Sequence, residues 1–213
     1  MKTGDTMKRT PLYNVGKIGI QWFVQLFIPS KVKNKDRFPK EGKVIVCCNH
    51  MAMSDPLRLA FAQRRQIYYM AKAELFHNKF VAAVISALGA FPVQRGKGDK
   101  AAMNRASQLL EGGQAVGIFI EGTRSKTGDL LPPKAGAVML AHSHNAPILP
   151  CCITAKGGKT PRLFHKCTVS FGELLTPEEL GLKEGSLSEF RAASQEVMNR
   201  IAQLRARDLH DFG

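Results

Sequence analysis

From Lys43 onward the sequence alternates short runs rich in β-branched residues with longer helical ones, and this alternation limits the possible folds more than any other feature. Strands separated by helices pack as an α/β layer fold, because each helix has one apolar stripe to bury and a sheet offers the face for it. The expected strands are 44–48, 67–71, 90–93, 115–120, 148–153 and 167–171. The expected helices are 56–62, 79–87, 100–111, 135–144 and 187–207. With 213 residues, 44% of them apolar, the chain can bury an ordinary core. No repeat, low-complexity tract or linker interrupts it after residue 43. The expectation is a single α/β domain over residues 38–213, with a central mixed β-sheet flanked by helices.

Residues 1–37 read differently. Between Leu12 and Ile28 the side chains are mostly apolar, with Asn14, Lys17, Gln21 and Gln25 on one stripe of a helix that Pro29 ends. Roughly 20 apolar residues are needed to cross a bilayer, and this run is too short and too interrupted. An amphipathic helix with Trp22, Phe23 and Phe27 on its apolar side suits the plane of a membrane surface instead. Lys31, Lys33, Lys35, Arg37, Lys40 and Lys43 then form a polybasic collar. Anionic headgroups hold such a collar at about 1 kcal/mol per cation. The alternative is that the helix is ordinary core and the lysines a solvated turn.

The collar is part of a wider imbalance of 31 basic against 17 acidic residues, a net charge of +14. That excess attracts anionic partners: nucleic acid, an anionic bilayer or phosphorylated small molecules. Nucleic acid fits poorly, because no basic strand is interleaved with aromatics, no recognition-helix pattern occurs, and the single Trp lies in the apolar N-terminal run. The five cysteines lack the C-x-x-C spacing of a metal site. Adjacent pairs such as Cys47 and Cys48 point to opposite faces of a strand and read as core. With no secretory signal, a reducing, cytosol-facing setting is expected.

Chemistry concentrates in two loops. Asn49-His50-Met51-Ala52-Met53-Ser54-Asp55-Pro56 stands where strand 44–48 gives way to a helix, and strand ends are where α/β sheets collect reactive groups. His50 can act as general base near neutral pH, and Asp55 can fold back to fix its tautomer. That dyad has no built-in nucleophile, so it suits a substrate that brings its own hydroxyl. By itself an H-x4-D pattern arises in something like one chain in four, and Asp55 before Pro56 is also a good N-cap. The second loop, Glu121-Gly122-Thr123-Arg124-Ser125, follows strand 115–120. Its glycine turn exposes backbone N–H groups, and Arg124 offers a planar fork for two phosphate oxygens. Lys72 and Arg95, each near the end of an expected strand, can converge with Arg124 on one side of the sheet. Phe76, Phe80, Val84, Ile85 and Leu88 offer a wall for an apolar chain or, alternatively, are core.

These residues resemble the glycerolipid acyltransferases, and most closely the bacterial 1-acyl-sn-glycerol-3-phosphate acyltransferases. Four ordered blocks carry the likeness: Asn49-His50-x4-Asp55-Pro56, Gly89-x-Phe91-Pro92-x-x-Arg95, Phe119-x-Glu121-Gly122-Thr123-Arg124-Ser125 and Ala146-Pro147-Ile148-Leu149-Pro150. A given tetrapeptide such as Glu-Gly-Thr-Arg arises in about one chain in several hundred at ordinary composition, so the set is not accidental. The likeness spans roughly residues 38–172. It implies that His50 takes the proton of the acceptor hydroxyl, that Asp55 orients His50, and that Arg124 and Lys72 bind the acceptor phosphate, with Arg95, Glu121, Gly122 and Thr123 in the same cradle. Backbone N–H groups near Gly122 or Thr123 are the expected oxyanion donors. The implied cosubstrates are acyl-CoA or acyl carrier protein and lysophosphatidic acid, with no metal or organic cofactor, on the cytoplasmic face of an anionic membrane. Glycerol 3-phosphate, another lysophospholipid or a lyso-aminolipid is the alternative acceptor.

Overall fold

The computed structural model describes residues 25–93 and 99–212. Its spine is strand β2 (Val44–Cys48), every residue of which is buried, as expected for a near-continuous apolar run covered on both faces. The other strands are β1 (Ser30–Lys33), β3 (Ile67–Lys72), β4 (Ala90–Val93), β5 (Ala115–Phe119), β6 (Ile148–Ala155) and β7 (Cys167–Phe171). The helices are α1 (Asp55–Ala62), α2 (Lys79–Ala87), α3 (Asp99–Glu111), α4 (Gly136–His144) and α5 (Leu187–His210). The sheet runs β1-β7-β6-β2-β5-β3-β4. Neighbours are parallel except β6 and β7, so the sheet is mixed, as expected.

Two consequences position the site. The C-terminal ends of β2 to β6 share one rim with the N-terminal ends of β1 and β7. On that rim β2 is a switch point: the chain leaves it for β3 and β4, returns to insert β5 beside it, then crosses to β6 on its other side. A crevice at such a switch point is the standard place for chemistry in an α/β sheet.

Alternation along β2 divides the core. Ile45 and Cys47 join Leu110, Val138, Val197 and Ile201 from α3, α4 and α5 on one face. Val44, Val46 and Cys48 join Leu59 and Ala62 of α1, with Phe38 and Phe171, on the other. The paired cysteines split between faces as expected: Cys47 and Cys152 on the first, Cys48 and Cys151 on the second. All five are free, and burial pushes their thiols up from the ordinary value. Helix α5 starts at a capping box in which Ser186 and Glu189 exchange bonds with each other's backbone N–H.

Three expectations need correction. The collar residues Lys31 and Lys33 belong to β1, which pairs in parallel with β7. The boundary expected after residue 37 therefore falls before Ser30, inside what was read as a separate segment. Lys33 is not free for headgroups either, since its Nζ bonds Asp208 Oδ1 at 2.7 Å and Asp211 Oδ2 at 2.5 Å. Burial works against that ammonium, but the two carboxylates outweigh it and hold its pKa above the ordinary lysine value. Third, no residue of α2 is buried, and Phe80 is 79% exposed, so the core reading of residues 76–88 fails. Residues 1–24, which hold most of the expected N-terminal helix, lie outside the described residues. Arg95 does too.

Asp208 is 1% exposed and also accepts from Ser170 Oγ and Thr154 Oγ1, so it joins β1, β6, β7 and α5. Lys33→Ala removes its only ion-pair partner among the described residues. Breaking a buried pair on one side costs about 3–5 kcal/mol; with Lys33 a fifth exposed and the two hydroxyls retained, a loss of about 2 kcal/mol is expected. Urea unfolding reads it directly, and an unchanged midpoint would show the pair to be ornamental.

Candidate active site

The site begins where β2 ends. Asn49 is fully buried, and its amide mimics one more rung of the sheet: Oδ1 accepts from Ile153 N–H at 2.8 Å, and Nδ2 donates to Ile153 C=O at 3.0 Å. That clamp fixes the strand end, so His50 leaves it in a defined direction. The His50 ring stacks on Phe119 at the end of β5, with centroids 4.0 Å apart and planes 21° apart.

Asp55 opens α1, but it does not cap it. Ser54 holds the N-cap position, and the Asp55 carboxylate turns back over the preceding loop. Its Oδ2 accepts from Met51 N–H at 2.6 Å and Ala52 N–H at 2.7 Å, and lies 3.0 Å from His50 Nδ1. An oxygen facing two N–H donors leaves Nδ1 as the third donor, so the neutral ring carries its proton on Nδ1 and presents Nε2 as an acceptor. Nε2 has no partner among the described residues, and the side chain is 14% exposed while Asp55 is buried. A base held in its accepting tautomer and open to solvent on its reactive side can take a proton from a bound hydroxyl.

The second loop is physically joined to the first. Glu121 Oε1 accepts from His50 N–H at 2.8 Å, Ser125 N–H donates to His50 C=O at 2.8 Å, and the histidine backbone is thus bracketed from both sides. Glu121 Oε2 accepts from Leu131 N–H at 2.8 Å. Burial raises the Glu121 pKa above the ordinary value, against the pull of these two backbone bonds. This corrects the phosphate-cradle reading of Glu121. Its carboxylate is 2% exposed and spends both oxygens inside the protein, so it positions His50 and offers no face to an anion.

The rest of the loop faces outward. Gly122 sits at φ +70°, a left-handed conformation that glycine accepts without strain, and the turn exposes Thr123 and Arg124. Gly122 N–H bonds Phe119 C=O at 2.9 Å and is therefore spent, whereas Thr123 N–H has no partner among the described residues. Arg124 makes no ion pair among them. Lys72, at the end of β3, shares the rim and pairs with Glu74 at 3.0 Å, both about half exposed.

One cation escaped the sequence reading. A Cβ on Gly122 would stand 3.2 Å from Lys134 Cγ, so the Lys134 side chain lies across the glycine. It is exposed, makes no ion pair among the described residues, and its N–H bonds Ile120 C=O at 2.7 Å. Nine residues of loop separate Lys134 from Arg124 in the sequence, and no letter pattern links them. Beside the dyad loop an apolar cleft of about 630 Å³ opens, lined by Phe27, Ile28, Ala52, Met53, Leu57 and Leu163 among others. No helix of the described residues is long and apolar enough to cross a membrane.

This arrangement can be set beside known proteins. A sequence model of the acyltransferase family matches residues 29–154. The chain is 37% identical over 182 residues to a 1-acyl-sn-glycerol-3-phosphate acyltransferase of Bacillus subtilis, covering 82% of this chain and 90% of that one. It is 32% identical over 121 residues to the protein of that name from Borreliella burgdorferi, covering 56% of this chain and 48% of the relative. Its fold matches the crystal structure of a 1-acyl-sn-glycerophosphate acyltransferase from Thermotoga maritima with a TM-score of 0.67 and 26% identity, over 91% of this chain and 79% of the other.

Proposed function

The chain belongs to the acyltransferase family, and from that premise we propose that it moves a fatty acyl group from acyl-CoA or acyl carrier protein to the sn-2 hydroxyl of lysophosphatidic acid. The product is phosphatidic acid, made for phospholipid synthesis on the cytoplasmic face of the membrane. The observation that carries the reading is the His50–Asp55 dyad with Nε2 open, bracketed by a loop that presents Arg124 beside it.

His50 Nε2 takes the hydroxyl proton as the acceptor oxygen attacks the thioester carbonyl. The Asp55 carboxylate stabilises the imidazolium. Thr123 N–H is the oxyanion donor, because its neighbour at Gly122 is committed to the turn. Collapse breaks the C–S bond, and the imidazolium returns its proton to the departing thiolate. Since the acceptor supplies the nucleophile, positioning replaces an acyl-enzyme. No cofactor enters these steps. Arg124, Lys72 and Lys134 hold the acceptor phosphate; Arg95 belongs to the same proposal.

The test is incubation with labelled acyl-CoA and lysophosphatidic acid followed by lipid separation. Labelled phosphatidic acid is expected. Product only with glycerol 3-phosphate, another lysophospholipid or a lyso-aminolipid would keep the chemistry and change the acceptor. Within the phosphate site, Arg124→Lys is expected to raise the acceptor KM by roughly tenfold, because a point charge does not reproduce a bidentate fork. Lys134→Ala should act in the same direction. A rise confined to the KM for acyl-CoA would assign these cations to the donor nucleotide.

A further inference from the structure

The rim that carries His50 also turns four large apolar side chains to solvent. Leu26, Met53, Leu163 and Phe164 are exposed by 66, 69, 58 and 61%. They come from three segments, yet they adjoin. Met53 and Leu163 line the cleft beside the dyad, and the Phe164 ring lies 5.1 Å from that of Phe27, the residue after Leu26.

This surface is built, not left over. Phe164 has φ +62°, a conformation that bulky residues rarely adopt and that persists only where neighbours impose it. Its N–H donates to Phe27 C=O at 2.6 Å. Beneath it the guanidinium of Arg58, a residue 1% exposed, donates to Ile28 C=O, Pro29 C=O and Ser30 Oγ from Nη1 and to Arg162 C=O from Nη2. A buried arginine thus ties the start of β1 to the β6–β7 connection, and a strained backbone lifts Leu163 and Phe164 outward. Neither device helps the fold by hiding apolar surface.

Charge indicates what covers it. Between β6 and β7 the connection carries Lys156, Lys159, Arg162 and Lys166, all exposed, and no acidic residue. Apolar tips framed by cations match the layering of an anionic leaflet, where acyl chains lie beneath negative headgroups. We propose that this rim docks the catalytic domain on an anionic bilayer, with Leu26, Met53, Leu163 and Phe164 among the acyl chains and the four cations at the headgroups. Docked so, the cleft beside the dyad opens onto lipid. This contact is additional to whatever residues 1–24 make.

The test uses the full chain and requires no turnover, so it succeeds or fails independently of the acyltransferase reading. In a Trp22→Phe background, Leu163→Trp supplies the only tryptophan. Bound to phosphatidylglycerol and phosphatidylcholine vesicles with brominated acyl chains, it is expected to shift to the blue and be quenched. Leu163→Ser with Phe164→Gly should lower vesicle partitioning by roughly tenfold or more. Its melting temperature should not fall, since glycine accepts φ +62°. A vesicle-bound Leu163→Trp protein without quenching overturns the proposal, as does unchanged partitioning of the double variant. A dimer in solution that this double variant dissolves, with no quenching on vesicles, also overturns it and assigns the rim to a second copy.

Discussion

His50→Ala is expected to lose at least 10²- to 10⁴-fold in acyl transfer, the usual contribution of a positioned general base. The fold should survive, because the side chain supports little. The ring is mostly buried but, among the described residues, makes one hydrogen bond and one stacking contact, with Asp55 and Phe119. The loop around it is held through the backbone: Glu121 and Ser125 bond the peptide groups of residue 50, and Met51 and Ala52 keep their bonds to Asp55. A stability loss of about 1 kcal/mol covers the missing stack and bond. Turnover on lysophosphatidic acid and a thermal melt, measured on the same preparation, separate the two effects. Activity within threefold of the parent would mean that another group takes the hydroxyl proton.

How much of this was legible in the letters depends on how local the cause was. Strands β2 to β7 were, because β-branched runs between helical patterns identify themselves. Strand β1 was not: Ser30-Lys31-Val32-Lys33 reads as a charged turn, and only its pairing with β7 and the Asp208 partner 175 residues away make it a strand. Helix α2 was found with correct bounds, and of the two roles its apolar residues offered, a wall for an apolar chain or core, the sheet edge does not provide the second. In the site, the His50–Asp55 pairing was readable from spacing, and the phosphate role of Glu121 was a misreading. A signal against it existed. Val116 and Ile118 on β5, and Ile120 just after it, pack on one face of the sheet, so Glu121 continues the phase of Ala115 and Phe119 toward the other face, where His50 lies. Lys134 left no such trace, because a loop of no fixed period carries it back across Gly122.

The other large effect falls on Asp55. Sequence alone left it divided between orienting His50 and capping α1, and the geometry replaces the cap with a second structural duty, the tether of Met51 and Ala52 N–H to Oδ2. Asparagine can keep that tether. Its amide oxygen fits the place of Oδ2, which does the accepting, while the amide nitrogen takes the place of Oδ1, which is buried without a partner among the described residues. Asp55→Asn therefore changes the charge with little change of shape, and a stability loss of about 1–2 kcal/mol is expected from the unpaired amide N–H group. What disappears is the negative charge that stabilises the imidazolium, and loss of the equivalent carboxylate in a hydrolase triad lowers turnover by about 10⁴-fold. A loss of roughly 10²- to 10⁴-fold with the melting temperature nearly kept is expected here. If Asp55→Asn instead turns over normally, the carboxylate is only a loop tether, and His50 works without a charged partner.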